Sequence, residues 1–378
     1  MKEKKKGNPW RMAYLLGAVV LGVVIGFRQD TFAYECVVSD RKGLYYLVSV
    51  GALLSGTYLH VLIHEAGHLV CGLLSGYRFS SFRIGSYVPL REQGKMVLRR
   101  YWLPGTAGQC LMAPPPMTDG EIPVILYNLG GAIANALWAL VCFILAWIAP
   151  RAGAAEWMLG IWGFLGLILA LSNAIPRLLK VGGNDGHNTR SLLNDPAARR
   201  GFWLQMAIND CRLQGQTLLQ MPEEWFAMPE PGQMQNAMTA VLAIFHADRL
   251  MEEGKEAEGQ VILERLLEEE NAISPANKAM VRMSLLWREI MGENRPEVVA
   301  SLRTKELKRV MKLMKNFPEV IRMEYALAVL VDHEPEKARK CLARFGKVAH
   351  NYVYRQTVEQ ERRAIGLVAE KKISSLGE

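Results

Sequence analysis

The stretch Leu59-His60-Val61-Leu62-Ile63-His64-Glu65-Ala66-Gly67-His68-Leu69-Val70 decides how this chain is read. It contains HEAGH, a match to H-E-x-x-H. Residues four apart stack on one face of a helix, so His64 and His68 can each offer a ring nitrogen to one metal ion. Glu65 then sits beside the open coordination position, where it can accept a proton from a bound water. The setting sharpens the motif. It lies near the end of a long apolar run, 44–76, where ionisable groups are expensive and usually functional.

Working outward, the composition is split. The chain has 378 residues, is 50% hydrophobic and carries a formal charge of +8. That suits a membrane half joined to a soluble half. The positive charge fits cytoplasmic loops rather than nucleic-acid binding. Six cysteines are scattered without a C-x-x-C pair, so neither a disulfide framework nor a cysteine zinc site is implied.

Upstream, MKEKKK precedes an apolar run at 12–27, held between Arg11 and Arg28. As a helix it reaches about 24 Å, short of the hydrocarbon core but within the help of snorkelling arginines. No small-residue cleavage pattern follows, which favours a retained anchor over a cleaved signal peptide. The basic head puts the N-terminus in the cytoplasm. The run 44–76 then returns inward and carries His64 to the cytoplasmic side, roughly 27 Å from Tyr46. Between Tyr77 and Glu121 stand six basic residues, two short alternating patterns and the glycines of Gly105-Thr106-Ala107-Gly108. The expectation is a cytoplasmic insert of one or two β-hairpins lying against the membrane surface. Such a hairpin could pair with an unwound substrate segment as an added strand. Spans at 127–149 and 157–176 complete the set, and the first opens with small residues suited to close helix packing. The positive-inside rule holds at each loop.

From Pro196 polar residues return and the apolar ones take helical spacing, with breaks at Gly254, Pro275, Pro296, Pro318 and Pro335. A tetratricopeptide-like solenoid and an irregular bundle fit this pattern equally. The expected fold is mainly α. It is a polytopic helical membrane protein of about four spans (12–27, 44–76, 127–149, 157–176), with a β-hairpin insert and an all-α soluble domain. The division falls at 1–195 and 196–378.

A catalytic zinc site takes three protein ligands and leaves one position open. His64 and His68 supply two. For the third, Asp185, His187, His60 and Glu121 are the candidates. Asp185 follows the last span within Gly182-Gly183-Asn184-Asp185-Gly186, at the depth of His64 and His68, so it is favoured, with His187 next. His60 lies one turn before His64, and three histidines along one straight helix span too far for one ion. It is expected to line the site or to support a ligand.

At this point the residues resemble the site-2 proteases, zinc enzymes that cleave peptide bonds within the membrane. Three motifs carry the resemblance, over about 44–187. HEAGH is the first. Gly131-Ala132-Ile133-Ala134-Asn135 is similar to the family's G-P-x-x-N. Asn173-Ala174-Ile175-Pro176 with Asp185-Gly186 is similar to its N-x-x-P…D-G. The chain departs from the pattern in having Ala132 for proline and eight residues between Pro176 and Asp185, where many members have four. The resemblance implies one Zn2+ per chain held by His64, His68 and Asp185, with Glu65 as general base. It implies that Asn135 and Asn173 hold the substrate strand or the oxyanion. The expected substrate is a membrane-anchored protein or peptide precursor, cut in or near its transmembrane segment. The expected location is the cell membrane, with both termini cytoplasmic. The soluble domain lies outside the resemblance and is a surface for a protein partner. No nucleic acid is expected.

The rival reading is a zinc-binding scaffold whose helical domain recruits a partner. Glu65 argues against it, since a structural zinc site needs no such base. A metal transporter would want polar residues along several spans, and the first and fourth have almost none.

Overall fold

The computed structural model describes residues 33–148, 153–179 and 182–374. The expected span at 12–27 lies outside them. The structure is mainly helical and divides into two compact units. The first comprises residues up to Ser75, then Ile125–Leu178 and Gly183–Thr189. The second comprises Gly76–Val124, Leu179–Gly182 and Arg190–Glu378. The strands between the second and third expected spans therefore group with the C-terminal helices rather than with the apolar ones.

The first unit is built on three helices: α1 (Lys42–Leu74), α2 (Val124–Ile148) and α3 (Ala154–Ala174). Each is long and apolar enough to cross a membrane. At 33 residues α1 reaches about 50 Å, well beyond a hydrocarbon core of about 30 Å. Their burial is the reverse of a water-soluble bundle. Ala52, Gly56, His60, Glu65, Gly67 and Gly72 of α1 are buried, while Leu47, Leu54, Tyr58 and Leu74 are more than 60% exposed. Large apolar side chains point outward and small or polar ones inward, which lipid tolerates and water does not.

Four of that buried set, Ala52, Gly56, His60 and Gly72, share one stripe at every fourth residue with the half-buried His64 and His68. Four residues turn a helix by about 400°, so the stripe drifts by about 40° at each step. Its upper end faces α3, where a Cβ on Gly56 would sit 2.5 Å from the Trp162 ring. Its lower end faces α2. There Gly67 and Gly130 bring the two backbones so close that a Cβ on Gly67 would lie 2.3 Å from the Gly130 carbonyl oxygen. The drift is what lets one helix address both neighbours, with the histidines at the crossing.

The second unit contains an antiparallel sheet and a helical domain. The strands are β1 (Arg78–Ile84), β2 (Tyr87–Glu92), β3 (Lys95–Arg100) and β4 (Gly108–Ala113), in spatial order β3-β2-β1-β4. The sheet is thus larger than a pair of separate hairpins, because β4 returns to the free edge of β1. It is anchored on α5, which follows α4 (Asp185–Leu193) and runs Pro196–Leu213. Val88 and Leu90 pack with Leu213 and Val353, Ser80 Oγ donates to the Asp210 carboxylate, and Trp203 Nε1 donates to the Pro115 carbonyl at 2.7 Å.

The longer helices that follow are α6 (Leu242–Glu252), α7 (Glu256–Glu268), α8 (Pro275–Met291), α9 (Pro296–Leu302), α10 (Lys305–Leu313), α11 (Pro318–Ala326), α12 (Pro335–Ala349) and α13 (Arg355–Ser374). Proline opens α5, α8, α9, α11 and α12 at the first turn, where its missing N–H costs nothing. One core, centred on Leu286, Ile290, Leu307, Ile321, Ala326 and Phe345, joins α8 and α10 to α11 and α12.

Candidate metal centre

His64 and His68 leave α1 one turn apart, with Nε2 atoms 3.1 Å from each other. Asp185 Oδ2 lies 3.2 Å from His64 Nε2 and 3.6 Å from His68 Nε2. A tetrahedral ion bound at about 2.05 Å has ligand atoms about 3.3 Å apart. The three separations straddle that figure within 0.3 Å. The donor set, two imidazoles and a carboxylate, is that of a catalytic zinc site with one position left over. Asp185 Oδ2 is buried without a hydrogen-bond partner, an acceptor that calls for a cation. The residues fit the ion. Among the described residues, this is the group of histidine, cysteine and acidic side chains whose ligand atoms converge in this way.

Each ligand is aimed by a neighbour. His68 Nδ1 is 2.9 Å from the Tyr127 carbonyl oxygen, which can only accept, so Nδ1 carries the proton and Nε2 is left as a lone pair. The His64 ring lies flat against Gly131 of α2, where a Cβ would sit 2.5–2.6 Å from three of its atoms. Asn135 is 1% exposed and stands between two histidines, with Oδ1 3.2 Å from His60 Nδ1 and Nδ2 3.3 Å from His64 Nδ1. His60, fully buried, has Nε2 2.7 Å from the Trp162 carbonyl oxygen.

Asp185 arrives from the far end of α3, and Asn184 puts it there. Its Oδ1 accepts from the backbone N–H of Arg177 and of His187, and its Nδ2 donates to the carbonyls of Ser172 and Ile175. The bond from His187 makes Asn184 the N-cap of α4. Asp185 then lies in the first turn, where the helix dipole favours an anion. Gly186 lets the turn press against α3: a Cβ there would lie 2.0 Å from the Ala174 carbonyl oxygen.

Glu65 is buried, at 8% exposure, and within electrostatic reach of His68. Of the other candidates, His187 packs its ring against Gly183 and contributes no ligand atom to the cluster. Glu121 is paired with Arg199 in the second unit. Asn173 donates to the Leu169 carbonyl one turn back on its own helix. Asn184 was not among the residues singled out from sequence. Its signal was there, in an asparagine directly before an acidic helix start. The carbonyls of Tyr127 and Trp162 carry no sequence signal.

No family model matches this chain, and no curated protein or solved structure matches it either.

Proposed function

We propose that this chain is an intramembrane zinc metalloprotease of the site-2 protease type, acting on a membrane-anchored protein or peptide precursor. The observation that carries the reading is the convergence of His64, His68 and Asp185 at tetrahedral spacing inside a bundle of apolar helices. Glu65, next to one ligand and facing the same buried region, is the supporting one. The chain is then a multi-pass membrane protein with both termini in the cytoplasm, as its basic loops indicate.

His64, His68 and Asp185 would hold the ion. A zinc ion there supplies a Lewis acid and lowers the pKa of water toward neutrality. Glu65 takes up the proton released as water attacks the scissile carbonyl and returns it to the leaving amine. The surrounding apolar helices hold bulk water off, which strengthens the electrostatic hold on developing charge. A transmembrane substrate must unwind first, since its carbonyls are hydrogen-bonded within its own helix.

The test is cleavage of a panel of single-span model substrates by detergent-purified protein, read by mass spectrometry. Glu65→Gln should lower cleavage by roughly 10²–10⁴-fold or more, with the fold intact. Equal cleavage by Glu65→Gln would overturn the proposal. Zinc binding without cleavage of any substrate would favour the scaffold reading.

A further inference from the structure

His60 is not a ligand, yet it is fully buried in a lipid-type bundle, and α3 is shaped around it. A Cβ on Gly166 would lie 2.3 Å from its Cε1. Both ring nitrogens have partners, and the partners decide where the protons are. The Trp162 carbonyl oxygen, 2.7 Å from Nε2, can only accept, so His60 carries a proton on Nε2. A second proton on Nδ1 would bury a cation among apolar helices. Neutral His60 therefore has a lone pair on Nδ1 and needs a donor there.

That donor is the Asn135 amide nitrogen. The terminal oxygen and nitrogen of an asparagine are nearly the same size, and the network decides which faces which. With the amide turned over from the orientation given above, its nitrogen donates to His60 Nδ1. Its oxygen then accepts from His64 Nδ1–H. His64 is left with its lone pair on Nε2, 3.2 Å from Asp185 Oδ2 and 3.1 Å from His68 Nε2. The unturned amide gives the opposite result. It donates to His64 Nδ1, forces the proton onto Nε2 and blocks the ligand position. We infer that His60, acting through Asn135, is a positioning residue that fixes His64 in the tautomer able to bind metal. The chain of bonds runs from the Trp162 carbonyl through His60 and Asn135 to His64. This rests on the metal reading of His64, His68 and Asp185.

The test is zinc affinity by competition with a chromophoric chelator, measured beside the melting temperature of metal-free protein. His60→Leu and Asn135→Leu should each weaken zinc binding by about 10–100-fold, the usual cost of losing a bond behind a metal-bound histidine. His60→Gln keeps an N–H for Trp162 and an acceptor for Asn135, and should bind within a few-fold of the parent. Asn135→Asp keeps the acceptor for His64 Nδ1–H and should also retain zinc. The double leucine variant should lose no more than either single one, because both act through one chain. Undiminished zinc affinity in His60→Leu would overturn the inference. So would Asn135→Asp losing zinc as fully as Asn135→Leu, an outcome readable even if the His60 variants fail to fold. A parent protein that binds no zinc would refute the metal reading itself, a separate result.

Discussion

Gly131→Ala isolates the geometry of the centre from the stability of the bundle. The added methyl would sit 2.5 Å from His64 Cε1 and 2.6 Å from both ring nitrogens. Carbon contacts settle at about 3.5 Å, so the ring must retreat by about 1 Å. Metal–ligand distances tolerate errors of about 0.2 Å, so His64 is lost as a ligand. The effect on zinc affinity should exceed the roughly 100-fold upper cost of disturbing an outer hydrogen bond. Helix stability should not suffer, since alanine is the better helix former by about 1 kcal/mol and the obstructing atoms belong to a side chain. Gly130→Ala is the contrast. Its methyl meets the Gly67 carbonyl oxygen at 2.6 Å, a backbone that cannot move without parting α1 from α2. It should lose both zinc and thermal stability. The assay is zinc competition and melting temperature on both variants. Parent-like zinc affinity in Gly131→Ala would refute the placement of His64.

Three further outcomes are expected. Asn184→Ala removes four hydrogen bonds that hold Asp185 in position, and should weaken zinc binding by about 10–100-fold with little change in helix content by circular dichroism. Glu319, in the second unit, has a buried Oε2 without a hydrogen-bond partner, and burial, then the nearby Glu361, raises its carboxyl to about 7. Unfolding lets that proton go from an ordinary value near 4.5, so stability falls as pH rises from about 4.5 to 7 and is flat above, for a total of up to roughly 3 kcal/mol. Glu319→Gln should therefore raise the melting temperature at pH 8 and leave it unchanged at pH 4, and equal melting at pH 8 would contradict the burial. Asp185→Ala should lose zinc while the apolar helices still insert into membranes, read by chelator competition and by carbonate extraction.

Much of the helical frame was legible because local chemistry wrote it. The histidine pair at i, i+4 needs only the pitch of a helix. The prolines at 275, 296, 318 and 335 each open a helix as expected from their missing N–H. Asp185 was reached by matching depths at the ends of two spans, which long apolar runs make possible. The four-stranded sheet was harder. Its hairpins are local, but β4 pairs with β1 across some twenty residues, and no alternation pattern encodes that. Its grouping with the C-terminal helices depends on contacts such as Ser80 to Asp210 and Gln214 to Arg91, far apart in sequence. His60 was legible as a lining residue, but not its tie to Asn135, 75 residues away, nor the carbonyl that sets its proton. That Gly131 and Gly166 leave room for the His64 and His60 rings shows only once those rings are placed.

The most direct measurement is zinc stoichiometry with X-ray absorption at the zinc edge, on purified parent protein and on Glu65→Gln. One zinc per chain in both, with about two imidazoles and two further oxygen ligands (the Asp185 carboxylate and a water) at about 2.0–2.2 Å, is the expected result. Absence of zinc, or a sulfur-ligated ion, would contradict the assignment of His64, His68 and Asp185 as the metal centre.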